Sequence, residues 1–358
     1  MLLSFISLKK FFHFKEKFLP YYHKKKKLVR ITFYLAALLF IIWLLTEYFY
    51  TYSVLKNDYI YYNNQTKSHK ICAQIGLWHK KIQNPEKIKI GIITDTHLDL
   101  LPQIKSGIIS TSQPGLIKFI KDMETFQPDF IVHLGDIIEG TRCPAWFGEK
   151  QITLVRQRLN SLSVPIYWVV GNHDLRSLTK EEFKKTLNLE SLNYVVDRGS
   201  YRFIFLDANY NKLNQDRRPH QNKYIPGHLP PQTVQWLEKQ LQTRKRVFVF
   251  MHQGLFPGKT TPTSQKIVKP IDNAEKIKKL FDKYHVDGFF NGHMEVRSYH
   301  QGKYTHYYSL TGTVKNPYYT QSFYELAIEK GVPHVTMYYF SYPQNKEIKL
   351  EFEKEKNF

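Results

Sequence analysis

The sequence predicts an α/β protein: two packed sheets with helices outside, preceded by one N-terminal transmembrane helix. Three observations predict it. First, runs rich in Val, Ile and Phe alternate with helical patterns from residue 88 onward, and strand-like runs dominate the C-terminal third. Second, several of these runs end in a short polar cluster: Asp95-Thr96-His97, Gly135-Asp136, Gly171-Asn172-His173-Asp174, His252 and Gly292-His293-Met294-Glu295. Open α/β sheets build their sites at the C-terminal ends of strands. Third, Ile31 to Thr46 carry no charge, and with the YFYTY run after Glu47 the apolar stretch reaches roughly 20 residues, a membrane span.

Taken in order, residues 1–30 form a basic cytoplasmic segment with nine Lys and Arg against one acid, Glu16. Lys24 to Lys27 and Arg30 sit just before the apolar run, so the positive-inside rule places the N-terminus in the cytoplasm and everything after Tyr52 outside. No small-x-small site follows the run, so residues 31–52 read as an uncleaved anchor in membrane lipid. Residues 53–87, rich in Tyr, Asn and Lys, read as a juxtamembrane stalk. The folded domain is expected at 88–345, with a charged C-terminal tail at 346–358.

Within the domain a strand at 88–94 precedes a helix near 115–126, whose Leu116, Phe119, Ile120 and Met123 share a face. A strand at 129–134, a helix near 150–162 and a strand at 165–170 follow. The segment 179–187 reads as a helix with Thr179 capping and Glu182 in the box position. After a strand at 201–207, residues 209–229 form a long polar loop, and such loops in compact domains tend to be functional. A helix with Pro in its first turn ends at Leu241, and a strand at 246–251 ends at His252. A second loop spans 253–272, then a helix at 273–284 and a strand at 286–290 lead to the Gly292-His293 turn. Strands at 296–300, 304–310, 322–328 and 334–340 complete the domain. The two cysteines, Cys72 and Cys143, can pair outside the cytoplasm or remain free thiols.

The clusters share one chemistry. Asp95 and His97 are two apart on an extended segment, so both reach one ion. Asp136 has two oxygens and can bridge two ions, Asn172 adds a neutral oxygen, and His252 and His293 add imidazole nitrogens. This mixture suits divalent Mn, Fe or Zn, and two such ions side by side activate water for phosphoryl chemistry.

The ordered set Asp95-x-His97, Gly135-Asp136-x-x-Glu139, Gly171-Asn172-His173-Asp174, His252 and Gly292-His293-x-Glu295 resembles the calcineurin-like metallophosphoesterases over about 88–315. The resemblance implies a four-layer α/β/β/α sandwich of two mixed sheets and a dinuclear metal site. One metal would take Asp95, His97, Asp136 and the last motif position, Glu295. The other would take Asp136, Asn172, His252 and His293. It also implies a phosphoester substrate, a monoester or a diester, attacked by metal-activated water. His173 would be the general acid, and Asp174 would orient it.

Two positions depart from that pattern. Glu139 stands where Asp is commoner, and Glu295 stands where a second His is usual. A carboxylate at 295 hardens its donor set and favours Mn or Fe over Zn. The same substitution motivates a second reading, a membrane-tethered phosphoesterase-like binding protein with reduced or lost turnover. The 205–241 stretch also resembles cyclic-nucleotide phosphodiesterase-like members, where this region closes over the substrate. Arg217, Arg218, His220, Lys223 and His228 would then face an anionic substrate. A nucleic-acid partner is disfavoured, because no aromatic–basic interleaving marks a groove.

The topology is testable directly. A reporter fused after residue 358 should be active only outside the cytoplasm, and activity inside would overturn the orientation.

Overall fold

The computed structural model describes residues 36–38, 41, 87–100, 112–141, 143–217, 219, 225–259, 267–294, 296–313, 321–341 and 346–351. The expected anchor and stalk lie outside the described residues, apart from 36–38 and 41, which are helical, and Lys87, which opens the first strand. Among the described residues, no helix is long and apolar enough to cross a membrane. The chain divides into two units, Met1–Ser68 and His69–Phe358, and every element below belongs to the second.

The chain begins with β1 (Lys87–Ile93), α1 (Ser112–Phe126), β2 (Phe130–His133), α2 (Ala145–Leu159) and β3 (Ile166–Trp168). Two short helices, α3 (Asp174–Ser177) and α4 (Lys180–Leu187), precede the hairpin β4 (Tyr194–Arg198) and β5 (Tyr201–Leu206). Next come α5 (Pro231–Leu241), β6 (Arg246–Met251), a small pair β7 (Gly258–Lys259) and β8 (Ile267–Val268), α6 (Ala274–Tyr284) and β9 (Gly288–Asn291). The last elements are β10 (Ser298–Gln301), β11 (His306–Ser309), β12 (Ser322–Glu329), β13 (Val332–Ser341) and β14 (Lys346–Glu351).

Two mixed six-stranded sheets result, ordered β14-β13-β12-β1-β2-β3 and β10-β11-β9-β6-β5-β4. Strands β1, β2 and β3 run parallel, as do β5, β6, β9 and β11. Parallel strands deliver all their C-terminal ends to one edge, and this is what assembles the site.

The period-2 pattern of KIKIGII decides the layering. Ile88, Ile90 and Ile92 enter a core shared with Phe203, Phe205, Phe248, Phe250 and Phe290 of the other sheet. Ile93 faces the opposite way, into a second core with Phe119, Met123, Ile152 and Val155 from α1 and α2. A third core packs Ile204, Val249 and Phe289 against Leu237 of α5 and Ile277 and Phe281 of α6. Helices therefore cover both outer faces. Helix α4 starts on the expected capping box: the Thr179 side chain accepts from Glu182 N at 3.2 Å, and Glu182 Oε2 accepts from Thr179 N at 2.8 Å.

The high aromatic content has a structural use. Tyr194, Phe205, Phe250, Phe290 and Tyr308 occupy paired register positions on five neighbouring strands, β4, β5, β6, β9 and β11. Their rings stack in one row, with centroids 4.6, 5.2, 5.3 and 4.8 Å apart. Each such contact adds about 0.5–1.5 kcal/mol beyond simple burial.

Several elements differ from the sequence reading. Strand β4 and helix α3 are additional, and the β7–β8 pair lies inside an expected loop. Lys346–Glu351, expected as a charged tail, pairs antiparallel with β13 as an edge strand. Charges on an edge strand deter edge-to-edge association, and they also make the strand read like a tail. Cys143 is a buried free thiol, while Cys72 lies outside the described residues.

Replacing Phe250 by Ala removes the central ring of the row and should cost about 3–5 kcal/mol. Urea unfolding of the variant checks this, and a loss below about 1 kcal/mol would show that the row does not stabilise the sandwich.

Candidate metal centre

The strand ends turn sharply at the site. Asp95, His97, Asp136 and His293 all sit at positive φ, at 49°, 40°, 50° and 64°. Non-glycine residues adopt this conformation only at a cost of about 1–3 kcal/mol each. The turns are interlocked: Asp95 N donates to Gly135 O at 3.0 Å, and His97 N donates to Asp136 O at 2.9 Å. Two glycines permit the closeness. A Cβ on Gly171 would stand 2.1 Å from Asp136 Oδ1, and one on Gly292 would stand 2.4 Å from Asp95 Oδ2.

Six of the seven expected ligands converge here. His97 Nε2 lies 3.7 Å from Asp95 Oδ1 and 3.7 Å from Asp136 Oδ2. His252 Nε2 lies 3.2 Å from Asp136 Oδ2 and 3.1 Å from Asn172 Oδ1. The His293 ring meets the His252 ring edge-on at 5.0 Å. Ligand atoms of His97, Asp136 and His173 fall within 4.8 Å of one another, and so do those of Asp136, His252 and His293. The two groups share Asp136. Glu295, the seventh, lies outside the described residues.

The imidazoles are presented as metal ligands need to be. His97 Nδ1 is 3.1 Å from Glu139 Oε2, and His252 Nδ1 is 2.8 Å from Leu134 O. Each acceptor fixes a proton on Nδ1 and turns the Nε2 lone pair toward the carboxylates. That carboxylate– or carbonyl–histidine arrangement is characteristic of metal sites. The donor set, two carboxylates, a carboxamide oxygen and three imidazoles, would fit two divalent ions that share Asp136.

Electrostatics say the same. Burial penalises the Asp136 charge, yet the neighbouring charges of His252 and His173 and the His252 hydrogen bond hold its carboxyl well below the usual range. Burial opposes a charged His252 too, but Asp136 and Asp95 push it up to about 9. His97 is raised well above its ordinary value: burial opposes this, and hydrogen bonds to Asp95 and Glu139 outweigh it. Protons on these rings occupy the place that a divalent cation would take, and ligation would release them. His293 is pushed down to about 3, by burial and then by the charge of His252, which leaves a neutral ring fit for ligation.

Supporting residues show where sequence reasoning fell short. Glu139, which stands where Asp is commoner, binds two rings at once: its Oε2 lies 3.1 Å from His97 Nδ1 and 2.9 Å from His173 Nδ1. Arg176 holds the other oxygen at 2.6 Å. Asp174 was expected to orient His173, but its carboxylate instead accepts from the backbone N–H of Ile137, Ile138 and Gly171 at 2.8, 3.1 and 2.9 Å. It braces the Asp136 and Gly171 turns, and His173 is oriented by Glu139. Burial and then Asp136 push Asp174 up to about 7 despite those amides.

His133 was missed altogether. Its Nδ1 accepts from Gly135 N at 3.3 Å, which leaves Nε2–H to donate to Thr96 Oγ1 at 3.2 Å. It ties the Asp95–His97 turn to the Gly135 turn. A histidine inside a strand (FIVHL) looks like any core residue, and no local signal marks it.

Of the expected substrate residues, Arg217 is buried, and the charges of Arg176 and Asp136 act on it. His228 is half-buried, and its charged neighbours are Asp272, Lys212 and Lys276, none of them in the metal cluster. Arg218, His220 and Lys223 lie outside the described residues.

Residues 88–296 match the family model of the calcineurin-like phosphoesterases. The chain belongs to this family. A 3′,5′-cyclic-nucleotide phosphodiesterase of Nostoc sp. is 28% identical over 164 residues, which cover 44% of this chain and 53% of that protein. The chain thus spans about half the length of that relative. A manganese-dependent ADP-ribose/CDP-alcohol diphosphatase of Xenopus tropicalis is 21% identical over 257 residues, covering 54% of this chain and 72% of that protein. The crystal structure of a dimetal phosphatase from Danio rerio superposes with a TM-score of 0.57 at 14% identity, over 74% of this chain and 99% of that one, and shares the fold.

Asp136→Asn should weaken binding of both ions and abolish detectable turnover, because one shared charge serves two cations. Gly171→Ala should weaken binding as well, by pushing the Asp136 carboxylate aside. Metal content after dialysis checks both, and two ions retained per chain in Asp136→Asn would overturn the shared-carboxylate arrangement.

Proposed function

We propose that the chain is a membrane-anchored hydrolase of a phosphomonoester or phosphodiester in which His173 acts as general acid. The observation that carries this reading is the His173–Glu139 pair at the open side of the metal centre. Glu139 binds His173 Nδ1 at 2.9 Å, and the ring's Nε2 stands 3.9 Å from Asp136 Oδ2. The side chain of His173 is 18% exposed, whereas that of His252 is fully buried. His173 and His293 are therefore the partly exposed imidazoles of the two groups, the ones within reach of a substrate entering from solvent.

Bound divalent ions supply Lewis-acid charge for the phosphoryl oxygens and a more acidic water. The chain's own residues do the rest. Asp95, His97, Asp136, Asn172, His252 and His293 fix the positions of charge. Arg217 adds a guanidinium to bind the anionic group. His173 gives the proton on Nε2 to the leaving oxygen, and the Glu139 carboxylate stabilises the imidazolium before transfer. Glu295 would add a third carboxylate to the donor set, and this supports Mn or Fe. The similarity to a 3′,5′-cyclic-nucleotide phosphodiesterase supports testing diesters first. The charge-free run Ile31–Thr46 behind a Lys cluster supports the anchor at 31–52, with the catalytic domain outside the cytoplasm.

His173→Ala should keep its metal content and lose roughly 10²–10⁴ in turnover of alkyl phosphoesters, with a smaller loss for nitrophenyl esters, whose leaving groups need no proton. Loss of metal would make His173 a ligand instead. The pH profile adds a check. Burial, then the charge of His97, holds the His173 pKa below its ordinary value, while Asp136 and Glu139 oppose that shift. Activity that needs the imidazolium is lost as pH rises through this pKa. Glu139→Gln removes a charge that raises it, so the alkaline limb should move to lower pH.

A further inference from the structure

A buried cation holds the polar loop that follows β5. Lys180 Nζ lies 2.6 Å from Asp207 Oδ2, 2.6 Å from Asp216 Oδ1 and 3.2 Å from the centre of the Tyr210 ring. Its side chain is 10% exposed and that of Asp207 is fully buried, whereas Asp216 is 58% exposed. Lys180 and Asp207 belong to the framework, at the start of α4 and just past the end of β5. Tyr210 and Asp216 belong to the loop and face each other across an isolated antiparallel bridge. One ammonium thus ties both arms of the loop to the domain.

The next residue is Arg217. Its N–H donates to Asn209 O at 3.0 Å. Asn209 in turn donates through Nδ2 to Val170 O at 3.0 Å, and its Oδ1 accepts from Gln253 Nε2 at 2.8 Å. Val170 directly precedes Gly171-Asn172, and Gln253 directly follows His252. The root of the loop is therefore stitched to two ligand-bearing strand ends. The Arg217 guanidinium is buried within the field of Asp136 and of a second cation, Arg176. Burial and the Arg176 charge oppose a charged guanidinium there, and the Asp136 charge favours it.

We propose that Lys180 is a positioning residue: it latches loop 209–217 so that Arg217 is kept facing the metal centre, ready for the anionic phosphoryl oxygens. This rests on the reading of Arg217 as a substrate-binding group. A latch of this kind sets substrate affinity and leaves the bond-breaking step alone, so its loss appears in KM rather than kcat.

Asp216→Asn tests it without stranding a buried charge. In the full-length, metal-loaded protein it should raise KM for bis(p-nitrophenyl) phosphate, and Kd for inorganic phosphate, roughly two- to fivefold. Turnover number and metal content should not change. Arg217→Ala should raise both constants further, and adding Asp216→Asn to it should do nothing more, because the latch then has no cation to hold. If Asp216→Asn changes neither constant while Arg217→Ala raises both, the latch is wrong and the substrate role of Arg217 stands. If Arg217→Ala changes neither, the substrate reading fails and the latch falls with it. If the two effects add in full, Lys180 acts through another residue, and the proposal is overturned.

Discussion

One carboxylate joins the two halves of the sandwich at the edge where chemistry is done. Asp136 follows β2 in the first sheet. It accepts a 2.6 Å hydrogen bond from His173 N, and its other oxygen lies 3.2 Å from His252, which follows β6 in the second sheet. A second tie runs the other way, from His252 Nδ1 to Leu134 O at 2.8 Å. Asp136 is the residue that the two clusters share.

Such an arrangement is costly and cannot hold itself. Four ligand-bearing residues sit in the left-handed region, and several charges are almost wholly buried. The apolar framework supplies the compensation. Three cores lock the sheets and helices, and the row of five stacked rings crosses the second sheet in strict register. That row includes Phe250, two residues before His252, and Phe290, three before His293. A rigid strand is what lets a strained turn at its end keep a fixed aim.

Around the ligands, a ring of supporting groups decides which way each points. Glu139 presents both His97 and His173, and Arg176 restrains Glu139. Asp174 and His133 brace the turns from behind. The Lys180 network extends the same logic to the substrate side, where a loop rather than a strand carries the charge. The site is thus graded, from strand ends that cannot move to a loop that needs a latch.

Much of this was legible in the sequence. Short runs of Ile, Val and Phe mark which segments become strands, because strands of a sheet covered on both faces bury both sets of alternating side chains. Asp95, His97, Asp136, Asn172, His252 and His293 were legible because each follows such a run, where a parallel sheet must place its site. The partners of those residues were not legible. Glu139 and Asp174 are both acids near a histidine in sequence, and the nearer one, Asp174, turns to backbone amides while Glu139, 34 positions from His173, takes the ring. His133 and Lys180 carry no local mark at all. Residue type and strand position follow from local physics, but a hydrogen-bond partner depends on which atoms the completed sheets bring within 3 Å, and only the tertiary structure decides that.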